Sequence, residues 1–209
     1  MYSGITRGLF PVVNVEKRSG VTRFDVELSQ ALAAGVELGA SISIDGVCCT
    51  AMNIDGVRIG FEAIAETLSL TTLDELHVGR KVSVERSCRV GDELGGHDVF
   101  GHIVGTARVL ARSFVGEQLD LTLGVPSQWM KYITSKGFIA LDGSSLTVGA
   151  VRTDSFDVHL IPETQRVTNF PRKQVGDRIN VELDTRTVAI VDAVERVLAE
   201  RGLTAPRNS

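Results

Sequence analysis

Residues 39–50 read GASISIDGVCCT, and residues 136–147 read KGFIALDGSSLT. The two stretches lie 97 positions apart and align without a gap, sharing an isoleucine, an Asp-Gly pair and the final threonine. In the first stretch apolar residues alternate with small or polar ones before the Asp-Gly pair, which is typical of a strand that enters a β-hairpin. The sequence therefore predicts a hairpin that occurs twice.

The same offset relates most of the chain to itself. Further identical pairs are Gly4 and Gly101, Gly8 and Gly105, Ile64 and Ile161, Glu66 and Glu163, Thr67 and Thr164, Thr71 and Thr168, Val84 and Val181, and Glu85 and Glu182. Two copies at this spacing are too long and too few for a solenoid, whose repeats span roughly 20–50 residues. We therefore expect a duplicated domain, with copies at residues 1–97 and 98–186.

Short alternating runs within each copy, such as residues 57–61 and 81–84, are typical of half-buried strands. Six or so strands in roughly 90 residues, with edges that need closing, predict a small antiparallel barrel. The expected fold is all-β, with two tandem six-stranded antiparallel, Greek-key-like β-barrels and a C-terminal α-helix. Short helical segments are also expected at residues 28–34 and 126–133.

The end of the chain, residues 187–209, differs from both copies. Val191, Val194 and Leu198 recur there at three- and four-residue spacing, which predicts one amphipathic helix. The first copy has no counterpart of this helix, so we expect its apolar face to form a contact between subunits. The alternative is a helix that packs back on its own chain.

The composition argues against several classes of protein. Of the 209 residues, 43% are hydrophobic and 23% are charged, which favours a soluble globular fold over disorder. The net charge is −4 and the basic residues are scattered, so nucleic acid is not expected as a partner. The start lacks a signal-peptide pattern, and no apolar stretch approaches the length of about 18 residues that suggests a membrane helix. We expect a cytoplasmic protein without a membrane partner.

Neither a metal nor a nucleotide cofactor is expected. Cys48, Cys49 and Cys88 are too few and too irregularly spaced for a disulfide framework, so they are interpreted as reduced thiols. Together with His97 and His102 they lack the paired spacing of a zinc site. The sequence also has no glycine-rich phosphate loop that opens a helix. The predicted set of cofactors is therefore empty.

Several segments in the same order resemble the α-chain type riboflavin synthases over essentially the whole chain. MYSGI is similar to the family's MFTGI start, and GASISIDGVCCT resembles its GASI-x-x-x-GVCLT segment. GGHDVFGHIVGT resembles GGH-x-x-x-GH-x-x-GT, and KGFIALDGSSLTV resembles KG-x-I-x-x-DG-x-SLTV. VHLIPETQRVTNF is similar to VxLIPxTxxxTT. Their order, the chain length and the duplication together make the resemblance specific.

The resemblance implies an enzyme without cofactors that dismutates two molecules of 6,7-dimethyl-8-ribityllumazine. A four-carbon unit passes from one to the other, which gives riboflavin and 5-amino-6-(D-ribitylamino)uracil. The resemblance also implies a homotrimer held partly by the C-terminal helices, with each active site between the N-barrel of one subunit and the C-barrel of its neighbour. It allows an association with lumazine synthase. A duplicated barrel supplies two related sites for two similar heterocycles.

This reaction needs a base for the acidic 7-methyl group and a nucleophile that adds at C7. His102 and His97 are the leading candidates for proton transfer, because imidazole exchanges protons near neutral pH. The alternative is that both are structural residues of a turn. The resemblance places Cys48 near the lumazine of the N-barrel, and Ser145 is its counterpart in the second copy. The alternative for Cys48 is a small core residue.

The matched threonines are interpreted as ligands of the ring and the ribityl chain, although threonine also simply favours strands. Lys136 is expected to bind a ribityl oxygen or offset negative charge. Asp142 is explained equally well by the Asp-Gly turn. The full set of expected binding residues is Gly4, Ile5, Thr6, Ser41, Cys48, Cys49, Thr50, Glu62, Ala63, Ile64, Ala65, Glu66, Thr67, Gly101, His102, Ile103, Lys136, Ser145, Leu146, Thr147, Ile161, Pro162, Glu163, Thr164, Arg166 and Asp184.

The chain departs from the common family pattern at several positions. Tyr2 replaces the usual phenylalanine and Cys49 the usual leucine, whereas Phe100 and Val104 replace a frequent serine and a frequent aspartate. Residues 169–171 replace a Thr-Thr-rich turn. The hydroxyl of Tyr2 needs a partner or water. None of these changes removes a candidate catalytic group, so we expect them to affect affinity or rate more than the type of reaction.

Three other classes of protein have similar β-barrels. A non-catalytic lumazine- or flavin-binding protein would share the fold, but such proteins tend to have lost the histidines of GGH and GH, and this chain keeps both. The flavin-binding barrel of a reductase would carry an Arg-x-Tyr-Ser type of motif and a dinucleotide-binding half. An oligonucleotide-binding barrel is disfavoured by the acidic charge and by an aromatic content of only 5%.

Overall fold

The computed structural model describes residues 1–203, which form two successive β-barrels and a helix. Residues 204–209, the end of the expected C-terminal segment, lie outside the described residues. The strands of the first copy are β1 (Leu9–Arg18), β2 (Val21–Glu27), β3 (Ser41–Ile44), β4 (Val47–Thr50), β5 (Asn53–Asp55), β6 (Arg58–Ile64) and β7 (Lys81–Arg86). Those of the second copy are β8 (Gly105–Val115), β9 (Gln118–Gly124), β10 (Phe138–Leu141), β11 (Ser144–Val151), β12 (Ser155–Leu160) and β13 (Arg178–Leu183).

The second copy is a closed antiparallel barrel. Its strands are hydrogen-bonded in the order β10-β11-β12-β9-β8-β13, and β13 pairs back with β10. The first copy is a seven-stranded sheet with the order β4-β3-β7-β1-β2-β6-β5. Its strands neighbour one another in the same order as in the second copy, except that the counterpart of β11 is divided into β4 and β5, which lie at the two ends of the order. The division falls at Ala51 and Met52, where the Met52 amide donates to the Gly60 carbonyl oxygen at 2.8 Å. The expected duplicated all-β fold is confirmed.

Each copy has its own hydrophobic core. Because successive side chains of a strand point to opposite faces, one face of every strand fills its barrel. Phe24 and Phe61 meet inside the first barrel with ring centroids 5.5 Å apart. Val82 and Ile179, which align in the duplication, are both fully buried. The repeated apolar pattern therefore encodes the same core twice.

The helical segments are short except for the last. The α-helices are α1 (Gln30–Ala33), α2 (Ala65–Leu70), α3 (Pro162–Val167) and α4 (Thr185–Glu200), and 3-10 turns occupy Thr72–Glu75, Ser127–Tyr132 and Phe170–Arg172. The segment expected at 28–34 is α1, whereas the one expected at 126–133 is a 3-10 helix. The sequence did not predict α2 and α3, which occupy equivalent places in the two copies. Within residues 1–203, none of the helices combines the length and hydrophobicity needed to cross a membrane.

The C-terminal helix is confirmed, but it begins at Thr185, two residues before the expected start. Asp184 is its N-cap, and one carboxylate oxygen accepts hydrogen bonds from the Thr187 amide at 3.0 Å and the Thr187 hydroxyl at 2.6 Å. An aspartate in this position satisfies a free amide of the first turn and interacts favourably with the helix dipole. The cap therefore sets the start of the helix.

One side of α4 contacts its own barrel. Val188 packs against the second core, and the Tyr132 hydroxyl donates to the Asp192 carboxylate at 2.6 Å. Ile190 and Val194 on the same helix are 64% and 52% exposed. The helix thus rests on its own chain and still leaves apolar side chains exposed.

The first residues of each copy cross over to the hairpin of the other copy. The Gly4 carbonyl oxygen accepts from the Ser145 amide at 2.8 Å, and the Gly101 carbonyl oxygen accepts from the Cys48 amide at 3.1 Å. Both glycines have positive φ angles, of 73° and 78°. A Cβ atom at either position would lie 2.5 Å from the Cβ of Ser145 or Cys48. Only glycine fits both crossings, which explains why the two aligned positions are identical.

Two buried glutamates hold these crossing segments. The carboxylate of Glu182 accepts from the amides of Phe100 and Gly101 at 2.7 and 2.8 Å. Its counterpart Glu85 accepts from the amide and the hydroxyl of Ser3 at 2.8 and 2.7 Å. Burial raises the pKa of both carboxyl groups. Each glutamate therefore holds the crossing segment of its own copy, and this segment in turn contacts the hairpin of the other copy.

The two Asp-Gly turns meet between the barrels. A Cβ on Gly46 would lie 2.5 Å from the Gly143 nitrogen, so the turns are in close contact. Asp45 and Asp142 are buried beside them, and the side-chain amide of Asn169 donates to both carboxylates, at 3.0 and 2.9 Å. Burial, together with the charge of Asp142, raises the pKa of Asp45 to about 6. Both aspartates thus belong to the junction between the barrels as well as to their turns.

Candidate active site

Cys48 and Ser145 occupy equivalent places at the two crossings. Each side chain is partly exposed, each follows an Asp-Gly turn, and each main-chain amide is bonded to a crossing segment of the other copy. The backbone of both residues is therefore fixed. The side chains differ in the group that each one contacts.

Ser145 is paired with a histidine. Its hydroxyl oxygen lies 2.6 Å from Nδ1 of His97, and the imidazole stacks on the Phe138 ring with 5.1 Å between centroids. Burial lowers the pKa of His97, which favours the neutral ring at pH 7. In the tautomer with a proton on Nε2, Nδ1 can accept the hydroxyl proton. The pair therefore has the arrangement of a hydroxyl nucleophile with its base.

His97 lines a surface cleft of about 280 Å³. Its lining residues are Leu94, Gly96, His97, Asp98, Phe138, Asp184 and Arg186. The charges of Asp184 and Asp98 raise the pKa of His97 and so oppose the larger effect of burial. Arg186 forms an ion pair with Asp98 at the rim. Asp184, expected from the resemblance to lie near substrate, thus both caps α4 and faces this cleft.

Cys48 contacts a tyrosine instead of a histidine. The hydroxyl of Tyr2 donates to the Cys48 sulfur at 3.2 Å. The Tyr2 side chain is fully buried, and its ring packs with Val99, Ala140 and Cys48. The polar partner that the sequence required for the Tyr2 hydroxyl is therefore the thiol of the candidate site.

His102 lies at the surface just after the second crossing. Its side chain is exposed, and its ring centroid lies 6.3 Å from that of Phe100 in a stacked arrangement. The main chain before it is held by Glu182 through the amides of Phe100 and Gly101. A fixed backbone with an exposed imidazole leaves the ring free to meet a ligand.

The expected binding residues of the first copy divide into two groups. Thr50 is exposed and pairs with Ser41 across β3 and β4, and residues 62–67 run from β6 into α2. Cys49 and Ala63 instead have buried side chains in the core of the first barrel. Only main-chain atoms of these two residues could therefore contact a ligand.

The second copy repeats this arrangement with different side chains. Thr147 is exposed and pairs with Phe138 across β10 and β11, so an aromatic ring takes the place of Ser41. Lys136 is exposed, with a φ of 66°. Residues 161–164 run from the end of β12 into α3, where Arg166 forms an exposed ion pair with Glu163 at 2.6 Å.

The remaining expected residues belong to the crossings. Thr6 is buried and its hydroxyl lies 2.8 Å from that of Ser144, whereas Ile5 is exposed. Ile103 packs against the first core and Leu146 against the second. Within residues 1–203, no three His, Cys, Asp or Glu side chains are grouped as metal ligands.

Three features of the site were not predicted from the sequence. Phe138, which stacks on His97, aligns with Ser41, so the repeat gave no hint of an aromatic contact. The role of Glu85 and Glu182 could have been suspected, because an identical acidic pair in an apolar strand pattern needs buried partners. The contact of Ser145 with His97 joins residues 48 positions apart and left no local signal.

The fold and the site define a protein with two tandem lumazine-binding domains. The family model described as the lumazine binding domain matches residues 3–87 and again residues 100–184. Solved structures of LumP have the same fold. LumP with riboflavin superposes with a TM-score of 0.83 at 24% identity, covering 88% of this chain and 100% of that one. LumP with 6,7-dimethyl-8-(1'-D-ribityl) lumazine gives 0.81 at 23% identity, with the same coverage.

Curated relatives of this chain identify its family within the proteins that have lumazine-binding domains. Riboflavin synthase of Escherichia coli (strain K12) is 43% identical over 202 residues, which are 96% of this chain and 95% of that protein. Riboflavin synthase of Buchnera aphidicola subsp. Baizongia pistaciae is 40% identical, over 95% and 94% of the two chains. Riboflavin synthase of Chlamydia pneumoniae is 36% identical, over 97% and 99%. The chain belongs to the riboflavin synthase family.

Proposed function

We propose that this chain converts two molecules of 6,7-dimethyl-8-ribityllumazine into riboflavin and 5-amino-6-(D-ribitylamino)uracil. Family membership supports the reaction, and the duplicated fold supports a site for two similar rings. The observation that carries the proposal is the 2.6 Å contact between the Ser145 hydroxyl and His97 Nδ1. A lumazine-binding protein without catalysis has no need of a nucleophile paired with a base.

In the proposed reaction, the Ser145 oxygen adds to C7 of one lumazine while His97 takes the hydroxyl proton. This addition prepares that lumazine to donate its four-carbon unit. His102 removes a proton from the 7-methyl group of the second lumazine, and the resulting carbanion attacks the first. Transfer of the four-carbon unit releases the ribitylaminouracil. The Ser145 oxygen then leaves C7 and takes back the proton held by His97, and the acceptor becomes riboflavin. The two products together contain all atoms of the two substrates, so the balance requires no oxidant.

Binding of the two rings is assigned to the matched threonines. Thr50 and Thr147 are exposed at equivalent places of the barrels, where their hydroxyls can bind a ring or a ribityl chain. Lys136, exposed next to Thr147 in the second copy, supplies a positive charge for the same ligand. The exposed main chain of residues 64–66 and 161–163 adds donors and acceptors at the ends of β6 and β12.

We further propose a homotrimer in which the exposed apolar side chains of α4, including Ile190 and Val194, are covered by neighbouring subunits. In such a trimer the N-barrel of one subunit faces the C-barrel of the next, and each active site lies between them. We also propose that this assembly associates with lumazine synthase. The place of action is the cytoplasm.

The direct test is incubation of the purified chain with 6,7-dimethyl-8-ribityllumazine alone, followed by detection of riboflavin. Wild-type protein should form riboflavin without an added metal or nucleotide. His97→Gln should lose turnover by roughly 10²-fold or more while still binding the lumazine, because glutamine cannot accept the proton. Binding without any turnover by the wild-type chain would show a lumazine-binding protein instead of an enzyme.

A matched control is available in the first copy. His77 also uses Nδ1 for a hydrogen bond, to the Val78 carbonyl oxygen at 3.1 Å, and its counterpart in the second copy is Gln174. His77→Gln should therefore fold and keep wild-type turnover. Equal losses in both variants would show that His97 serves only the fold.

A further inference from the structure

The buried hydroxyl of Tyr2 ends at the sulfur of Cys48, at a distance of 3.2 Å. The main chain of Tyr2 is fixed by an isolated bridge. Its amide donates to the Val99 carbonyl oxygen at 2.7 Å, and its carbonyl oxygen accepts from the Val99 amide at 3.1 Å. Cys48 is fixed at the same time by the close approach of Gly101. Both partners of the contact are therefore attached to rigid parts of the crossing.

The direction of this hydrogen bond follows from the burial of the phenol. Burial is the largest cause that raises the pKa of Tyr2, followed by the contact with Cys48. The hydroxyl therefore stays protonated, and a fully buried O–H group requires an acceptor. The Cys48 sulfur at 3.2 Å is that acceptor, and it accepts more strongly when it carries negative charge. The side chain of Ser87 is a second hydrogen-bond neighbour of the phenol and lowers its pKa.

The two equivalent positions thus carry opposite chemistry. Ser145 faces a histidine nitrogen that can remove its proton, whereas Cys48 accepts a hydrogen bond from a buried hydroxyl. The residue aligned with Tyr2 in the second copy is Val99, so this donor has no counterpart there. The family pattern usually has phenylalanine at position 2, which makes the donor a feature added in this chain.

We propose that Tyr2 is a positioning residue that holds the Cys48 sulfur by a hydrogen bond and stabilises negative charge on it during turnover. The inference rests on the proposed function, because it assumes that Cys48 faces the lumazine of the first barrel. The sulfur is then presented to the ring in one orientation. Charge that develops next to the sulfur is offset by the donor.

The test replaces the donor alone. Tyr2→Phe keeps the ring and its packing with Val99 and Ala140, and it restores the residue that the family pattern usually has there. We expect the rate of alkylation of Cys48 by iodoacetamide at pH 7 to fall by roughly three- to tenfold, as expected for loss of one ordinary hydrogen bond. Peptide mapping by mass spectrometry separates Cys48 from Cys49 and Cys88.

Tyr132→Phe is the matched control, because Tyr132 is the other tyrosine of the chain and its hydroxyl also makes one short hydrogen bond, to Asp192. It should leave alkylation of Cys48 unchanged. An unchanged alkylation rate in Tyr2→Phe would overturn the proposal. A melting temperature cannot replace this measurement, because it reports on the fold and not on the sulfur.

Turnover gives the second readout. A positioning role predicts that Tyr2→Phe lowers kcat several-fold with little change in KM for the lumazine, because the variant keeps the lumazine-binding surface of the wild-type protein. Slower alkylation with unchanged kcat would also overturn the proposal, since the hydrogen bond would then not serve the reaction. If wild-type protein forms no riboflavin, the proposed function fails, and the alkylation rates then still show whether Tyr2 controls the sulfur.

Discussion

Replacing Gly101 by alanine should damage the junction of the two barrels more than any ordinary glycine substitution. Gly101 has a φ of 78°, and an added Cβ would lie 2.5 Å from the Cys48 Cβ and 2.6 Å from the Cys48 nitrogen. The backbone strain of an alanine in this conformation costs about 1–2 kcal/mol. Moving the Gly101 and Cys48 segments apart to a normal van der Waals distance adds about 1–3 kcal/mol of overpacking. The hydrogen bond from the Cys48 amide to the Gly101 carbonyl oxygen is stretched as well, which costs about 1 kcal/mol more.

The total is about 3–6 kcal/mol, which corresponds to a loss of roughly 6–24 °C in melting temperature for a domain of this size. Gly20 provides a matched control, because its φ is 76° and nothing lies within 4 Å of an added Cβ. Gly20→Ala should cost only the strain of about 1–2 kcal/mol, or roughly 2–8 °C.

The assay is thermal unfolding followed by circular dichroism, with turnover measured on the folded fraction. Gly101→Ala should melt well below Gly20→Ala and should also lose activity, because Cys48 and His102 lie on either side of the altered contact. Equal melting temperatures for the two variants would refute the claim that the close approach of the crossing segments limits stability.

Three further predictions concern assembly, catalysis and pH. Removing the chain from Thr187 onward should convert trimers into monomers, and an unchanged mass in sedimentation would contradict the proposed role of α4. His102→Gln should lower kcat by roughly 10²–10⁴-fold, whereas Thr50→Ala should mainly raise KM; a folded His102→Gln enzyme with normal kcat would remove this histidine from the mechanism. Burial holds the pKa of Asp45 at about 6, so the folded chain binds more protons than the unfolded chain between about pH 4 and pH 6. The contribution of Asp45 to stability is therefore lost as the pH rises through this range, and melting curves that fall equally with pH in wild-type protein and Asp45→Asn would contradict it.

Much of the fold could be predicted because each sequence pattern that indicates a strand or a turn occurs in both copies. The hairpins around Gly46 and Gly143, and the apolar partners Val82 and Ile179, each appear twice in the sequence and in the structure. Local features were harder to predict. The division of a strand at Ala51 depends on hydrogen bonds with β6, and the start of α4 depends on the cap that Asp184 supplies.

The candidate site could be predicted only in part. Cys48 was found through the family resemblance and Ser145 as its counterpart in the repeat, and the crossings fix both of them. The partners of these residues depend on how distant segments fold against one another. His97 reaches Ser145 from an irregular segment, and Tyr2 reaches Cys48 from the start of the chain, so neither contact leaves a periodic pattern.

The exchange of crossing segments also has a consequence for the history of the fold. A single copy on its own would leave its hairpin uncovered at Cys48 or Ser145, and its first residues would lack the partner that they pair with here. Two identical copies could complete each other by the same exchange around a true twofold axis, which is how an isologous dimer forms. Gene fusion would then have converted a symmetric dimer into one chain. Once the copies were fused, each could change independently, and a cysteine beside a tyrosine could arise where the other half has a serine beside a histidine.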